Sequence, residues 1–565
     1  MHMKKTLSVL LALLMLCSMA VMPASAVQNK HEKCPVIFIA GSSVDLVDGD
    51  QNPISTGFDV LTDDDEGDGI TKEKIIETTM NILLPFVMEG LPRDEWENYG
   101  EALYEEFAPI FEESQLDGDG NPKFGTGVAK AEIKKWDDNA FKDHGKDGNF
   151  RLRDYDFRYD WRLSPYDHVD RLHEYIKTII KTTGCDQVAL VGRCLGGNVI
   201  TAYLDVYGHE GLVKKVVYDE VMSNGSVAVN DSFAGKIKFS DKHIQAYVAE
   251  SEYFGEYNVG IDLADMNDLL IEIVDRTVDL MTQTGVIDTV TGGLETLYQR
   301  LYTAFMPAML RATGLGTWPS YWSSVCDADF DTALNLVFGE EGSESREENA
   351  GLIEKINYIR ERIVKPREKT GDDNLYKKFV NEYGVEIAVI AGYGLVNPPI
   401  VESYDANGDC TVDTKNSSFG ATVAGVFSTL PQEYIDSRIE AGYGDYISVD
   451  KKIDASTCLF PDTTWFIKNK HHDTFNQVVL LSEFFTQYEG VNANENSRNI
   501  SRFLVVDPDN INSVVNMTED NCADGPWLQT IEQKPTTESI LASLMRFLTA
   551  LLKLFTQLIE GTFTL

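Results

Sequence analysis

Gly192-Arg193-Cys194-Leu195-Gly196 sets a cysteine between two glycines. The apolar run Val188–Val191 precedes it, and Val199, Ile200, Tyr203, Leu204 and Tyr207 follow at helical spacing. The pattern predicts a strand, a sharp turn and a helix, with the thiol at the apex. Gly192 and Gly196 lack side chains, so strand and helix can pass close to a strained residue. The amino end of the helix favours a negative sulfur. The amide of Leu195 is positioned to receive an oxyanion. Cys194 is therefore a candidate nucleophile toward a carbonyl carbon. A free cysteine is often no more than a buried packing residue, so the chemistry depends on partners elsewhere in the chain.

Three segments offer such partners. Pro35–Ala40 reads as an apolar strand that leaves into Gly41-Ser42-Ser43. The loop after a strand of this kind supplies the second oxyanion donor in turn-borne nucleophile sites, which makes the Ser42 amide the candidate. After the strand-like Val385–Ile390, the loop Asp405-Ala406-Asn407-Gly408-Asp409-Cys410-Thr411-Val412 carries candidate acids. Asp405, Asn407 and Asp409 also alternate as calcium ligands do. However, Cys410 stands where such a loop needs glycine, and Asn416 stands where it needs the closing carboxylate. Thr464–Ile467 is the last strand candidate, followed by Lys468-Asn469-Lys470-His471-His472-Asp473. The chain order is thus nucleophile, acid, histidine.

Upstream stands Tyr159-Asp160-Trp161-Arg162, then a helical stretch, the apolar strand and the cysteine turn. Asp160 and Arg162 can pair, and Trp161 supplies area to bury. Together these segments resemble the lecithin:cholesterol acyltransferase family of α/β-hydrolases. The resemblance spans roughly residues 34–480 and implies a mostly parallel sheet flanked by helices, with a large helical cap insertion. It implies that Tyr159–Arg162 is structural and borders the site. Gly408-Asp409-Cys410-Thr411-Val412 matches the family's acid loop, which makes Asp409 the implied acid. His471 best matches the family's histidine, with the adjacent His472 left open as the base. Trp318-Pro319-Ser320-Tyr321-Trp322 resembles a segment of the family's cap. The main departure is Cys194, where the family has serine; cysteine at this turn is similar to dienelactone hydrolases and polyhydroxyalkanoate synthases. A thiolate is also a good leaving group, which favours activated esters, thioesters or transfer to an acceptor. The resemblance implies a lipid-like ester or acyl substrate and no cofactor or metal. The alternative is a binding protein of the same fold that has lost hydrolytic activity.

The remainder of the 565 residues is consistent with this reading. Met1–Ala26 has a lysine-bearing start, an apolar run and an Ala-Ser-Ala end, which predicts a signal peptide cleaved near Ala26 and a secreted protein. Of eight cysteines, loss of Cys17 leaves an odd number and hence at least one free thiol. Export permits pairing among the others without requiring it. A net charge of −41 disfavours nucleic acid and anionic membranes. The expected layout is core over 27–225, helical cap over 226–378, core again over 379–500, and an extension over 501–565. The acidic stretch 45–75 reads as a solvated loop. Apolar positions at Ile75–Leu84, Leu269–Val274 and Leu297–Leu310 read mainly as packing faces. Residues 537–559 form an amphipathic stretch, interrupted by Arg546 and Lys553. It is expected to dock on the protein's own body or at a lipid interface.

Overall fold

The computed structural model describes residues 34–42, 95–124, 154–238, 240–254, 293–399, 401–472 and 476–528, with scattered shorter pieces between 46 and 128. The 1–26 segment, most of the acidic stretch 45–75, the positions from Ile75 to Leu84, Leu269–Val274 and the 537–559 stretch lie outside these residues.

Eight strands build one central sheet. They are β1 (Val36–Ile39), β2 (Tyr155–Asp156), β3 (Val188–Arg193), β4 (Val213–Asp219), β5 (Glu386–Tyr393), β6 (Thr464–Lys468), β7 (Phe503–Asp507) and β8 (Asn510–Asn516). Their order across the sheet is β8-β7-β6-β5-β4-β3-β1-β2. Every pair is parallel except β7 with β8. The sheet therefore runs past the expected core boundary at residue 500, and Thr464–Ile467 is not the last strand. Phe503-Leu504-Val505-Val506 is apolar on both faces, as an interior strand must be.

Helices cover both faces. Labelled in chain order, the longer ones are α1 (Glu97–Phe107), α2 (Val169–Thr183), α3 (Gly196–Tyr207), α4 (Asp241–Phe254), α5 (Gly293–Ala312), α6 (Ala350–Ile359) and α7 (Asn476–Gln487). Alternation along β3 explains the layering. Val188 and Leu190 join a cluster with Leu172 and Ile176 of α2 and Ile200 and Leu204 of α3. Ala189 and Val191 face the other way, onto Val478, Val479 and Phe484 of α7. A strand buried on both sides has no polar face to show, which is why Val188–Val191 reads as an unbroken apolar run.

Among the described residues, the segment between β4 and β5 adds no strand to this sheet. Its Met306, Met309 and Leu310 on α5, with Trp318, Trp322 and Phe330, enter the same buried cluster as α2 and α3. They pack as core cover. No helix among the described residues is long and apolar enough to cross a membrane. Cys34, Cys194, Cys326, Cys458 and Cys522 are free thiols.

The Tyr159–Arg162 segment follows β2 and is buried throughout. Arg162 binds Asp160 through two bonds, Nε to Oδ1 at 2.9 Å and Nη2 to Oδ2 at 2.7 Å. The Trp161 ring meets Trp318 edge-on at 4.9 Å. Below them, Nε2 of the buried His168 lies 2.9 Å from the Asp160 carbonyl. Burial, followed by the charge of Arg171, lowers the His168 pKa from 6.5 to about 4. Folding therefore holds this imidazole neutral. Its contribution is complete above pH 6.5 and is lost as pH falls toward 4, a difference on the order of 3 kcal/mol. Chemical denaturation at stepped pH should show that decline in the parent protein, and a His168→Gln variant should show a shallower one.

Candidate active site

The order of strands reverses at one place. From β1 the chain moves outward to β2, then returns to the other side of β1 with β3 and continues to β4, β5 and β6. Ligands of open parallel sheets bind outside the carboxyl ends of the strands at such a reversal. The carboxyl ends of β1 and β3 are Ile39 and Arg193, and the residues that follow them are Gly41-Ser42 and Cys194.

Cys194 sits at the predicted strand-to-helix turn with φ of 51°, a left-handed conformation costly for any residue with a Cβ. The glycines around it permit this crossing. A methyl group on Gly196 would lie 2.0 Å from the Ile39 carbonyl oxygen. One on Gly41 would lie 2.7 Å from Cys194 Cβ, and one on Gly192 would lie 2.6 Å from Ile200. The thiol is buried, 3.8 Å from the Met222 sulfur. The Leu195 amide has no backbone acceptor among the described residues, and the same is true of the Ser42 amide. The hydroxyls of Tyr159 and Tyr321 lie near enough that a charge on Cys194 would raise their pKa values, after burial as the larger cause. Tyr159 donates to the Ala40 carbonyl at 2.9 Å, and Tyr321 interacts with the Ser42 side chain.

The loop after β5 turns back to bring Asp409 to the same edge. Asp409 is fully buried. Its Oδ1 accepts the amides of Thr411 at 2.9 Å and Val412 at 2.6 Å. Its Oδ2 meets Nδ1 of His472 at 2.8 Å, and its carbonyl takes the His472 amide at 2.9 Å. Burial pushes the Asp409 carboxyl up, but the His472 charge, its hydrogen bond, the Val412 amide and Lys470 together hold it below the ordinary value. Burial likewise pushes His472 down, and the charges of Asp409 and then Cys194, with the Asp409 hydrogen bond, carry it well above 6.5. Nδ1 is thus occupied by the acid, while the buried Nε2 makes no hydrogen bond among the described residues and the ring lies within electrostatic reach of Cys194.

The structure brings His472, not His471, to Asp409 and into electrostatic reach of Cys194. Successive side chains of an extended segment point to opposite sides. The Asn469 turn, with φ of 60°, sets which of the two histidines faces β5. His471 instead lies with Glu250 and Cys410. The calcium-like spacing also disperses. Asp405 Oδ1 lies 2.9 Å from His243 Nε2, Asn407 takes the Gly394 amide at 2.7 Å, and Asp409 holds His472.

Sequence reading missed a second carboxylate. Glu220, just after β4 and also left-handed with φ of 48°, is fully buried. It forms an ion pair with buried Lys470 and lies 3.7 Å from His472 Nδ1. Burial pushes the Glu220 carboxyl up, and the charge of Lys470 pulls it back down. Gly392 makes room for this group, since a methyl there would lie 2.4 Å from Glu220 Oε1 and 2.7 Å from Asp409 Cβ. Only the adjacency of β4, β5 and β6 could reveal the pair, because Glu220 and Lys470 carry no motif.

Removing one member of a buried ion pair strands the other. Glu220→Ala should therefore cost about 3–5 kcal/mol of stability in urea unfolding, while Glu220→Leu combined with Lys470→Met should recover most of that loss. No family model, curated protein or solved structure matches this chain.

Proposed function

We propose that this chain is an exported α/β-hydrolase-type enzyme that transfers acyl groups through a covalent thioester on Cys194. The observation that carries the reading is the buried set Cys194, His472 and Asp409, gathered at the reversal point of a mostly parallel sheet. Nucleophile, base and acid follow in that chain order.

His472 accepts the Cys194 proton, and Asp409 holds the resulting imidazolium through Nδ1. The thiolate forms a bond to the carbonyl carbon, and the carbonyl electron pair moves to oxygen. The amides of Leu195 and Ser42 donate to that oxyanion. Collapse expels the leaving group, which takes the proton from His472, and leaves the acyl group on sulfur. Water or an alcohol then attacks the thioester, gives its proton to His472, and releases the thiolate. Because the tetrahedral intermediate can expel the thiolate as readily as a poor leaving group, activated esters or thioesters are the favoured donors. The Leu- and Met-bearing insertion over the site supports an apolar, lipid-like acyl group. The amino-terminal Met1–Ala26 pattern supports export.

Intact-mass measurement of the mature protein after exposure to short- and long-chain p-nitrophenyl esters tests this. The expected result is one acyl adduct on Cys194, absent from Cys194→Ala. His472→Asn should slow its formation by roughly a thousandfold or more. No adduct and no turnover with Cys194 shown reduced, or equal acylation of Cys194→Ala, would overturn the enzyme reading in favour of a non-catalytic binding protein.

A further inference from the structure

Behind the Asp409–His472 bond lies a second convergence of side chains that the proposed chemistry does not use. Glu250 of α4, Cys410 of the acid loop and His471 bring a carboxylate oxygen, a thiol sulfur and a ring nitrogen within 4.8 Å of one another. Their exposures are 1%, 1% and 4%. We propose that these three residues bind a zinc ion, which ties α4 to the two loops that carry Asp409 and His472.

The donor set selects the metal class. Calcium and magnesium take oxygen ligands, whereas one sulfur, one imidazole nitrogen and one carboxylate oxygen suit zinc. Around a tetrahedral zinc the donor atoms stand roughly 3–4 Å apart, so small side-chain rotations bring these three to coordination distance. Three protein ligands leave a fourth position for water. The charge also balances. On binding, Cys410 loses its proton to solvent and forms the zinc–sulfur bond. Thiolate and carboxylate together then cancel the charge of the ion, and His471 binds as the neutral imidazole. A neutral centre suits the surroundings, because Cys410 packs in one cluster with Tyr247, Leu395, Val396, Val426 and Trp527. Glu250 is oriented as metal carboxylates commonly are, with Oε2 accepting the Val396 amide at 2.8 Å. No linear motif announces the site, since its ligands come from three segments far apart in the chain.

The test uses the mature full chain, stripped with a chelator and titrated with cobalt(II) and then zinc. One equivalent of cobalt should bind and give a thiolate-to-metal absorption band, which zinc abolishes. The band should persist in Cys194→Ala and vanish in Cys410→Ser, and His471→Asn and Glu250→Gln should each weaken cobalt binding at least roughly tenfold. Should Cys410→Ser fail to fold, zinc X-ray absorption on Cys194→Ala decides the matter. A shell with one sulfur near about 2.3 Å and an imidazole supports the site, and a shell without sulfur overturns it. Absence of stoichiometric binding overturns it as well. So does a band that vanishes with Cys194 and survives loss of Cys410, which would put the ion on the Cys194 side.

Discussion

The close crossing of α3 over β1 sets the geometry of everything around Cys194. The amino end of α3 passes so near the Ile39 carbonyl that no side chain fits at Gly196. That approach forces the preceding Cys194 into the left-handed region. It also sets the thiol beside Gly41, at the one point where the strand order reverses. The sheet supplies the rigid frame for this strain. Buried on both faces, β3 cannot relax without disturbing packing against α2 and α3 on one side and α7 on the other.

A second constraint is electrostatic. Asp409, His472, Glu220 and Lys470 are all withdrawn from water within one small region. Each would be costly alone. Asp409 is held by two backbone amides and an imidazole, and Glu220 by an ammonium group. The arrangement brings both acids to the same ring nitrogen, Nδ1 of His472, Asp409 at 2.8 Å and Glu220 at 3.7 Å. Such concentrated, compensated charge in a dry site is what acid–base chemistry uses. It also ties the ends of β4, β5 and β6 together.

The insertion between β4 and β5 contributes more than cover. Trp318 packs on Trp161, and Tyr321 places its hydroxyl near both Cys194 and Ser42. The Asp160–Arg162 pair and His168 anchor the same layer from below. The segment that resembles a structural border therefore connects the sheet edge to the polar groups over the thiol.

Local chemistry in the sequence was enough for much of this. Glycine spacing around Cys194, an unbroken apolar run before it and helical periodicity after it predict strand, turn and helix, because sterics and periodicity act between near neighbours. The same holds for the Asp160–Arg162 pair, two residues apart. Tertiary structure alone decided the rest. His471 and His472 are chemically alike and adjacent, and only the backbone turn at Asn469 selects the one that reaches Asp409. Phe503–Asn516 joins the sheet because β6 offers an open edge, which no local pattern encodes. Glu220 and Lys470, like Glu250, Cys410 and His471, lie far apart along the chain. Glu220 pairs with Lys470 only because parallel strands bring successive carboxyl ends to one edge.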